Sequence, residues 1–449
     1  MKAALFTRTA RRARQDGFTL VELMVGMALG LFILLALVTL LINVNRNNSE
    51  MSRSNNVIEN GRFALQLLST DVAHGGFLGG YVPNFDDLTY SGAPQLVPAT
   101  TITDAAQQVP SSVPDPCVAY ASWDEVYKRN LVGIPVQVHD VSSPSSSWTP
   151  PVCSGRLSSP KPKANTDVLF IRHLENQACT PGATGCLASG EVYFQAPRCT
   201  TTAAAGYTTQ QSALGANNAF LLATSASNDN TTFNLRQRNC TSANEVRKFV
   251  SNMYYVRDYA VTSGDGIPTL MRSQFSGGTH AAAEAIVEGI EGFRAELGID
   301  NVSDFGTTLG SQSVSGSTVA GPTGGSSHLD AIAWANSTVL TSPTNRGDGL
   351  PDGSYVQCSS GSPCTPYQLM NAVAVKLHVL ARSDSKTPGH TDAKVYCLGS
   401  NCPAPTYTTC PSGGANPQPL LGPFCDGYKR HLFTRTVRLT NVSMRRETP

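Results

Sequence analysis

The sequence predicts an α+β protein: a long N-terminal α-helix packed on a β-rich, mainly antiparallel, disulfide-bonded head. Three observations carry that expectation. Leu23 to Ile42 is an uncharged apolar run in which Thr39 alone carries a polar side chain, about the length of one helical pass across a hydrocarbon core of ~30 Å. Beyond it, apolar residues recur first at helical spacing and then in alternating runs bounded by Gly, Pro, Ser and Asn. All 12 cysteines lie after Thr100, as suits a segment that folds in an oxidising compartment.

The first seventeen residues carry Lys2, Arg8, Arg11, Arg12 and Arg14 against Asp16, a charge of +4 within a chain whose total is +1. The remainder is therefore weakly acidic, which argues against direct contact with nucleic acid. Basic residues ahead of a single apolar span place the N-terminus on the cytoplasmic side and everything after Ile42 across the membrane. A secretory signal would end its apolar core in small residues at a cleavage site. Here the order is reversed: the basic leader ends at Gly17, and the span follows it. Glu22 sits at the threshold of that span, where a carboxylate in low dielectric calls for an opposite charge nearby.

The stretch "GFTLVELMVGMALG" resembles the leader junction of type IV prepilins and pseudopilins. The resemblance implies cleavage after Gly17 by a dedicated membrane peptidase, methylation of the new N-terminal Phe18, and a role for Glu22 in assembly. The ammonium of Phe18 on a neighbouring subunit would pair with Glu22 when helices stack with an axial offset. The implied divisions are a removed leader, 1–17; a helix, 18–75, with its membrane span at 23–42; and a periplasmic head, 76–449. Small residues Gly26, Ala28 and Gly30 would permit close helix approach.

After the polar "NVNRNNSEMSRSNN", Ile58, Phe63, Leu65, Leu67, Leu68 and Val72 extend the helical pattern, and Gly75-Gly76 supplies a stop. A helix from Phe18 to about Ala73 would be ~80 Å long. In the head, Thr166–Leu174, Glu191–Ala196, Ala219–Ala223 and Phe249–Val261 read as strands. "PTLMRSQF", after Gly264–Gly266, reads as the return arm of a hairpin. "AAAEAIVEGIEGFRAELGID" suggests a helical turn and then a strand from Ile290. In Ala372–Ser383, Val373, Val375, Leu377 and Val379 line one side; in "LFTRTVRLTNVSM", Phe433, Val437 and Leu439 alternate with Thr434, Thr436 and Arg438. A Gly/Ser/Thr-rich insertion, 302–327, has no core pattern and reads as a loop.

"GRFALQLLSTDVAHGGFLGG", "AIVEGIEGFRAELGID", "AVAVKLHVLARS" and "RHLFTRTVRLTNVSMRR" resemble segments of the PilW-type minor pilins. That resemblance implies a low-abundance structural subunit that joins other minor pilins and the major pilin in priming a pilus near its tip. It would support twitching motility, adhesion or DNA uptake. Implied partners are the prepilin peptidase, the inner-membrane assembly platform and a tip adhesin. The location implied is the inner membrane, single pass, with the head in the periplasm, and then the fibre. A minor pseudopilin of a type II secretion system would carry the same leader; a ligand-binding tip adhesin is the alternative of another class.

No enzyme is expected. Neither G-x-S-x-G, H-E-x-x-H nor a glycine-rich phosphate loop occurs, the histidines are scattered, and no cofactor is implied. Pairing cysteines in chain order would join Cys117 with Cys153, Cys179 with Cys186, Cys199 with Cys240, Cys358 with Cys364, Cys397 with Cys402 and Cys410 with Cys425, although sequence does not fix connectivity. The absence of CxxC and of nearby histidines disfavours zinc. "NRGDGLPDGSY" has the look of a calcium loop, but Asp348 and Asp352 are too few acids for a full oxygen shell. An ordinary turn is the expectation there.

Overall fold

The computed structural model describes Gly17 and residues 19–83, 110–141, 153, 162–199, 220–225, 231–300, 313–314, 317–318, 349–410 and 414–446. The chain divides into two units, Met1–Asn55 and Asn56–Pro449. The first is formed by helix α1 (Leu20–His74), which also opens the second.

Within the second unit α1 buries Val57, Gly61, Ala64, Leu65, Leu68, Ser69 and Val72, residues three and four apart on one face. Fully burying a Leu68 or a Val72 stabilises the fold by about 1.5–3 kcal/mol. The buried stripe is narrower and rotated from the one expected, for Ile58 and Phe63 are exposed. Gly61 explains the offset: a Cβ there would lie 2.1 Å from the Phe433 ring, so the helix approaches the head along a groove of small residues. The helix ends at Gly75-Gly76, with Gly76 at φ +75°, a conformation glycine adopts without a Cβ clash.

The next elements are helix α2 (Glu125–Gly133), capped by Asp124, and strands β1 (Val136–Val141), β2 (Thr166–Leu174), β3 (Val192–Gln195), β4 (Leu221–Thr224), β5 (Arg247–Arg257), β6 (Thr269–Ser276), β7 (Thr279–His280) and β8 (Glu284–Glu288). They make an eight-stranded sheet in the order β1-β2-β5-β3-β4, with β6 also on β5 and both β7 and β8 on β6. Every pairing is antiparallel. A second, three-stranded sheet has β12 (Ala372–Arg382) between β9 (Ile290–Ile299) and β15 (Arg430–Arg438). Short ladders join β10 (Ser313–Val314) to β11 (Ser317–Thr318) and β13 (Tyr396–Cys397) to β14 (Leu420–Leu421). Apart from those four residues of β10 and β11, the expected 302–327 loop lies outside the described residues.

Two sequence expectations need correction. Glu284–Glu288 is a strand rather than a helical turn, with Val287 opposite Leu270; pairing with β6 overrides the helical preference of its Ala and Glu residues. Gly289 (φ +76°) then carries the chain from one sheet to the other, and a Cβ there would stand 2.8 Å from the Arg382 carbonyl oxygen. The last strand stops at Arg438, and Thr440–Ser443 forms a helical turn whose Asn441 and Thr440 side chains donate to the Ala73 carbonyl at 3.2 and 3.0 Å. As the middle strand of its sheet, β12 is buried along nearly its whole length, and Val373, Val375, Leu377 and Val379 all lie in the core.

Charge is buried between these layers. Glu291 faces Arg430 Nε at 2.5 Å, Arg382 Nη1 at 3.5 Å and Lys163 Nζ at 3.6 Å. Arg294, from β9, lies 3.2 Å from Asp167 and 3.5 Å from Asp140. Burial pushes the Asp167 carboxyl up to about 7, although Arg294 and the Ala295 N–H work against it.

Candidate functional site

At the N-terminal end, Thr19 precedes the first helical residue, Leu20. The Glu22 N–H donates to Thr19 Oγ1 at 3.2 Å, while the Thr19 N–H and hydroxyl each donate to Glu22 Oε2 at 3.0 Å. This is a reciprocal capping box, which satisfies amides that the first helical turn leaves without partners. Its signal, T-x-x-E over Thr19–Glu22, is present in the sequence. Phe18 lies outside the described residues.

From Leu20 to Val44 the large apolar side chains of α1 are all exposed, from 43% at Val38 to 73% at Leu20. A continuous exposed apolar surface of this length needs lipid or partner helices to cover it, and the helix is long and apolar enough to cross a membrane. A Cβ at Gly26 or Gly30 would meet nothing within 4 Å, so both glycines leave the helix surface open to close approach.

At the other end of α1, Asp71 receives two donors from the large sheet. His173 Nε2 lies 3.0 Å from Asp71 Oδ1, and Asn252 Nδ2 donates to Asp71 Oδ2 at 2.9 Å. Burial disfavours the His173 imidazolium, but hydrogen bonds to Asp71 and the Leu174 carbonyl, with the charges of Asp71 and Glu175, outweigh it and raise the pKa. Sequence reading had left these residues without a role, because they are 102 positions apart.

Six disulfides join Cys117–Cys153, Cys179–Cys186, Cys199–Cys240, Cys358–Cys364, Cys397–Cys402 and Cys410–Cys425. Each links cysteines that are neighbours in chain order, so each closes a local loop. Asp115 lies against the first, its Oδ1 accepting from the Cys117 and Cys153 backbone N–H groups at 3.0 and 3.1 Å. With both sulfurs in the bridge, that cluster offers a cation only one carboxylate. Of the calcium candidates, Asp348 lies outside the described residues, and the Asp352 N–H donates to the Ile299 carbonyl at 2.8 Å. His378, in β12, is held by Glu296 at 3.1 Å and Thr434 at 3.2 Å, a satisfied buried histidine.

Residues 253–441 match the family model described as Type IV Pilus-assembly protein W, PilW, and residues 12–38 match the Prokaryotic N-terminal methylation motif. The first match runs from within β5 to the helical turn after β15; the second spans Gly17 and most of the exposed apolar run of α1. No curated protein and no solved structure matches the chain. The matched family is described as a pilus-assembly one, so the head from β5 onward is similar to PilW and the N-terminal stretch to prepilin-type methylation motifs, alongside an exposed apolar helix, antiparallel sheets and six disulfides.

Proposed function

We propose that this chain is a minor pilin, held in the inner membrane by α1 with its head in the periplasm, and drawn from there into a growing type IV pilus near the tip. The exposed apolar surface from Leu20 to Val44 is the observation that carries this reading. No described residue covers that surface, and lipid before assembly and neighbouring pilin helices after it would do so. Cleavage after Gly17 would free the Phe18 amine for methylation, and Glu22 would pair with that amine on an adjacent subunit. The capping box spans only residues after the cut, so removal of the leader leaves it whole.

Other minor pilins, the major pilin, the prepilin peptidase and the assembly platform are the partners this reading requires, with a tip adhesin as a further one. Mass spectrometry of the mature N-terminus together with a deletion strain tests it. A methylated Phe18 terminus and loss of pili and twitching are expected. Exoproteins trapped in the periplasm with pili intact would reassign the chain to a type II secretion system. A terminus elsewhere than Phe18 would refute the processing.

A further inference from the structure

A concavity in the head lies outside the PilW match, between the glycine-rich exit of α1 and the loop that follows β4. Its volume is 450 Å³, and its lining includes Leu78, Tyr81, Phe194, Arg198, Arg238 and Arg247. That size is typical of small-molecule sites. The floor is apolar, from Leu78, Tyr81 and Phe194, all at least nine-tenths buried.

The rim is cationic. Arg247 is already neutralised: its Nη2 and Nε lie 3.0 and 3.3 Å from Glu245 Oε1, and its Nη1 donates to the Glu175 and Asn176 carbonyls. Arg198 donates to the Gly79 carbonyl at 3.2 Å, with no ion pair to an acid among the described residues. Arg238 is exposed, and its guanidinium has no hydrogen-bond partner among the described residues. Among the described residues the cavity's one lining carboxylate, Glu245, is taken by Arg247, and the Arg198 and Arg238 guanidiniums have no ion-pair partner.

The wall is built to hold them. Gly79 (φ +61°) and Gly80 (φ +82°) turn the chain where Cβ atoms would lie 2.7 Å from Arg247 Nε and 3.1 Å from Arg198 Nη2. Cys199–Cys240 ties the segments that carry Arg198 and Arg238, with Cα atoms 4.9 Å apart, and the Arg198 N–H donates to the Arg236 carbonyl at 2.9 Å. Asn244 Nδ2 reaches the Ala196 carbonyl at 2.7 Å, and Gln195 Nε2 reaches the Asn244 carbonyl at 2.7 Å. The Arg198 fork held this way, with the exposed Arg238 beside it, suits a planar or tetrahedral oxyanion.

We propose that this cavity binds a small oxyanion-bearing molecule, a carboxylate or phosphate on a partly apolar ring-sized body such as an acidic sugar. Arg198 and Arg238 take the anion, and the Leu78–Tyr81–Phe194 floor takes the body. This inference stands apart from fibre assembly, since every lining residue precedes the matched region 253–441.

Saturation-transfer NMR on the full chain in detergent tests it, with methyl glucuronide, glucose 6-phosphate and neutral methyl glucoside as probes. Transfer to one or both anionic probes and not to the neutral one is expected, and which anion responds identifies the carboxylate or the phosphate source. Arg198→Ala with Arg238→Ala, both at exposed positions, should weaken binding about tenfold or more, while Arg→Lys at the same positions retains part of it. Inorganic phosphate should compete. No transfer to either anion, equal transfer to the neutral sugar, or unaltered binding in the folded double-alanine variant would each overturn the proposal.

Discussion

His173 Nε2 stands 3.0 Å from Asp71 Oδ1, joining the last turns of α1 to the second strand of the large sheet. Both side chains are largely buried, 14% and 13% exposed, so the pair is poorly screened by solvent. Its placement fixes how the helix end registers on the head.

The pair predicts a pH dependence. A histidine whose pKa rises on folding contributes stability that is full below its unfolded value, about 6.5, and is lost as pH rises through the folded value. Thermal unfolding of the full chain in detergent between about pH 5 and about 9 should show the midpoint falling in that window. His173→Gln should flatten this slope. A charge-assisted hydrogen bond of this kind contributes about 1.5–3 kcal/mol.

Glu291 has the opposite sign. Burial raises its pKa, but Lys163, Arg430 and Arg382 prevail and hold it below the ordinary carboxylate range. Its contribution is therefore full above about pH 4.5 and is lost as pH falls through the depressed value. Glu291→Gln leaves three cations facing a neutral amide and should cost about 3–5 kcal/mol, read as a lowered denaturant midpoint at neutral pH.

Gly61→Ala should destabilise the head by about 1–3 kcal/mol through overpacking against the Phe433 ring. Combining it with Phe433→Leu should recover part of the loss. Additive losses in a double-mutant cycle would show that the two positions do not share this contact.

The capping role of Glu22 is separable from the intersubunit pairing proposed for it. Thr19→Ala removes half of the capping box at a cost of about 0.5–2 kcal/mol of local helix stability, so amide exchange in the first turn should accelerate while incorporation into fibres stays near normal. Glu22→Ala should leave leader cleavage intact and lower incorporation. Equal incorporation defects in the two variants would assign the role of Glu22 to capping rather than to intersubunit charge pairing.

Much of the secondary structure was legible because local pattern and burial agree. The apolar run in Thr166–Leu174 and the alternation in Ala372–Ser383 mark strands that the structure contains. The stop at Gly75-Gly76 follows from glycine's access to positive φ. At Glu284–Glu288 local preference favoured helix, and only an unpaired edge on β6 made it a strand. Ile58 and Phe63 fitted a helical stripe as well as Val57 and Ala64 did, and the groove that selects one face lies on a strand hundreds of residues later.

The chain by itself determined its leader junction, its uncharged span and its class, because these are contiguous patterns of charge and hydropathy set by the membrane as a solvent. Only tertiary structure decided that Asp71 meets His173, that Glu291 gathers three cations, and that Arg198 and Arg238 share the mouth of a cavity. Such meetings depend on sheet order and on which strand edge is left open. Residues far apart in sequence interact strongly only once the fold has removed the water between them.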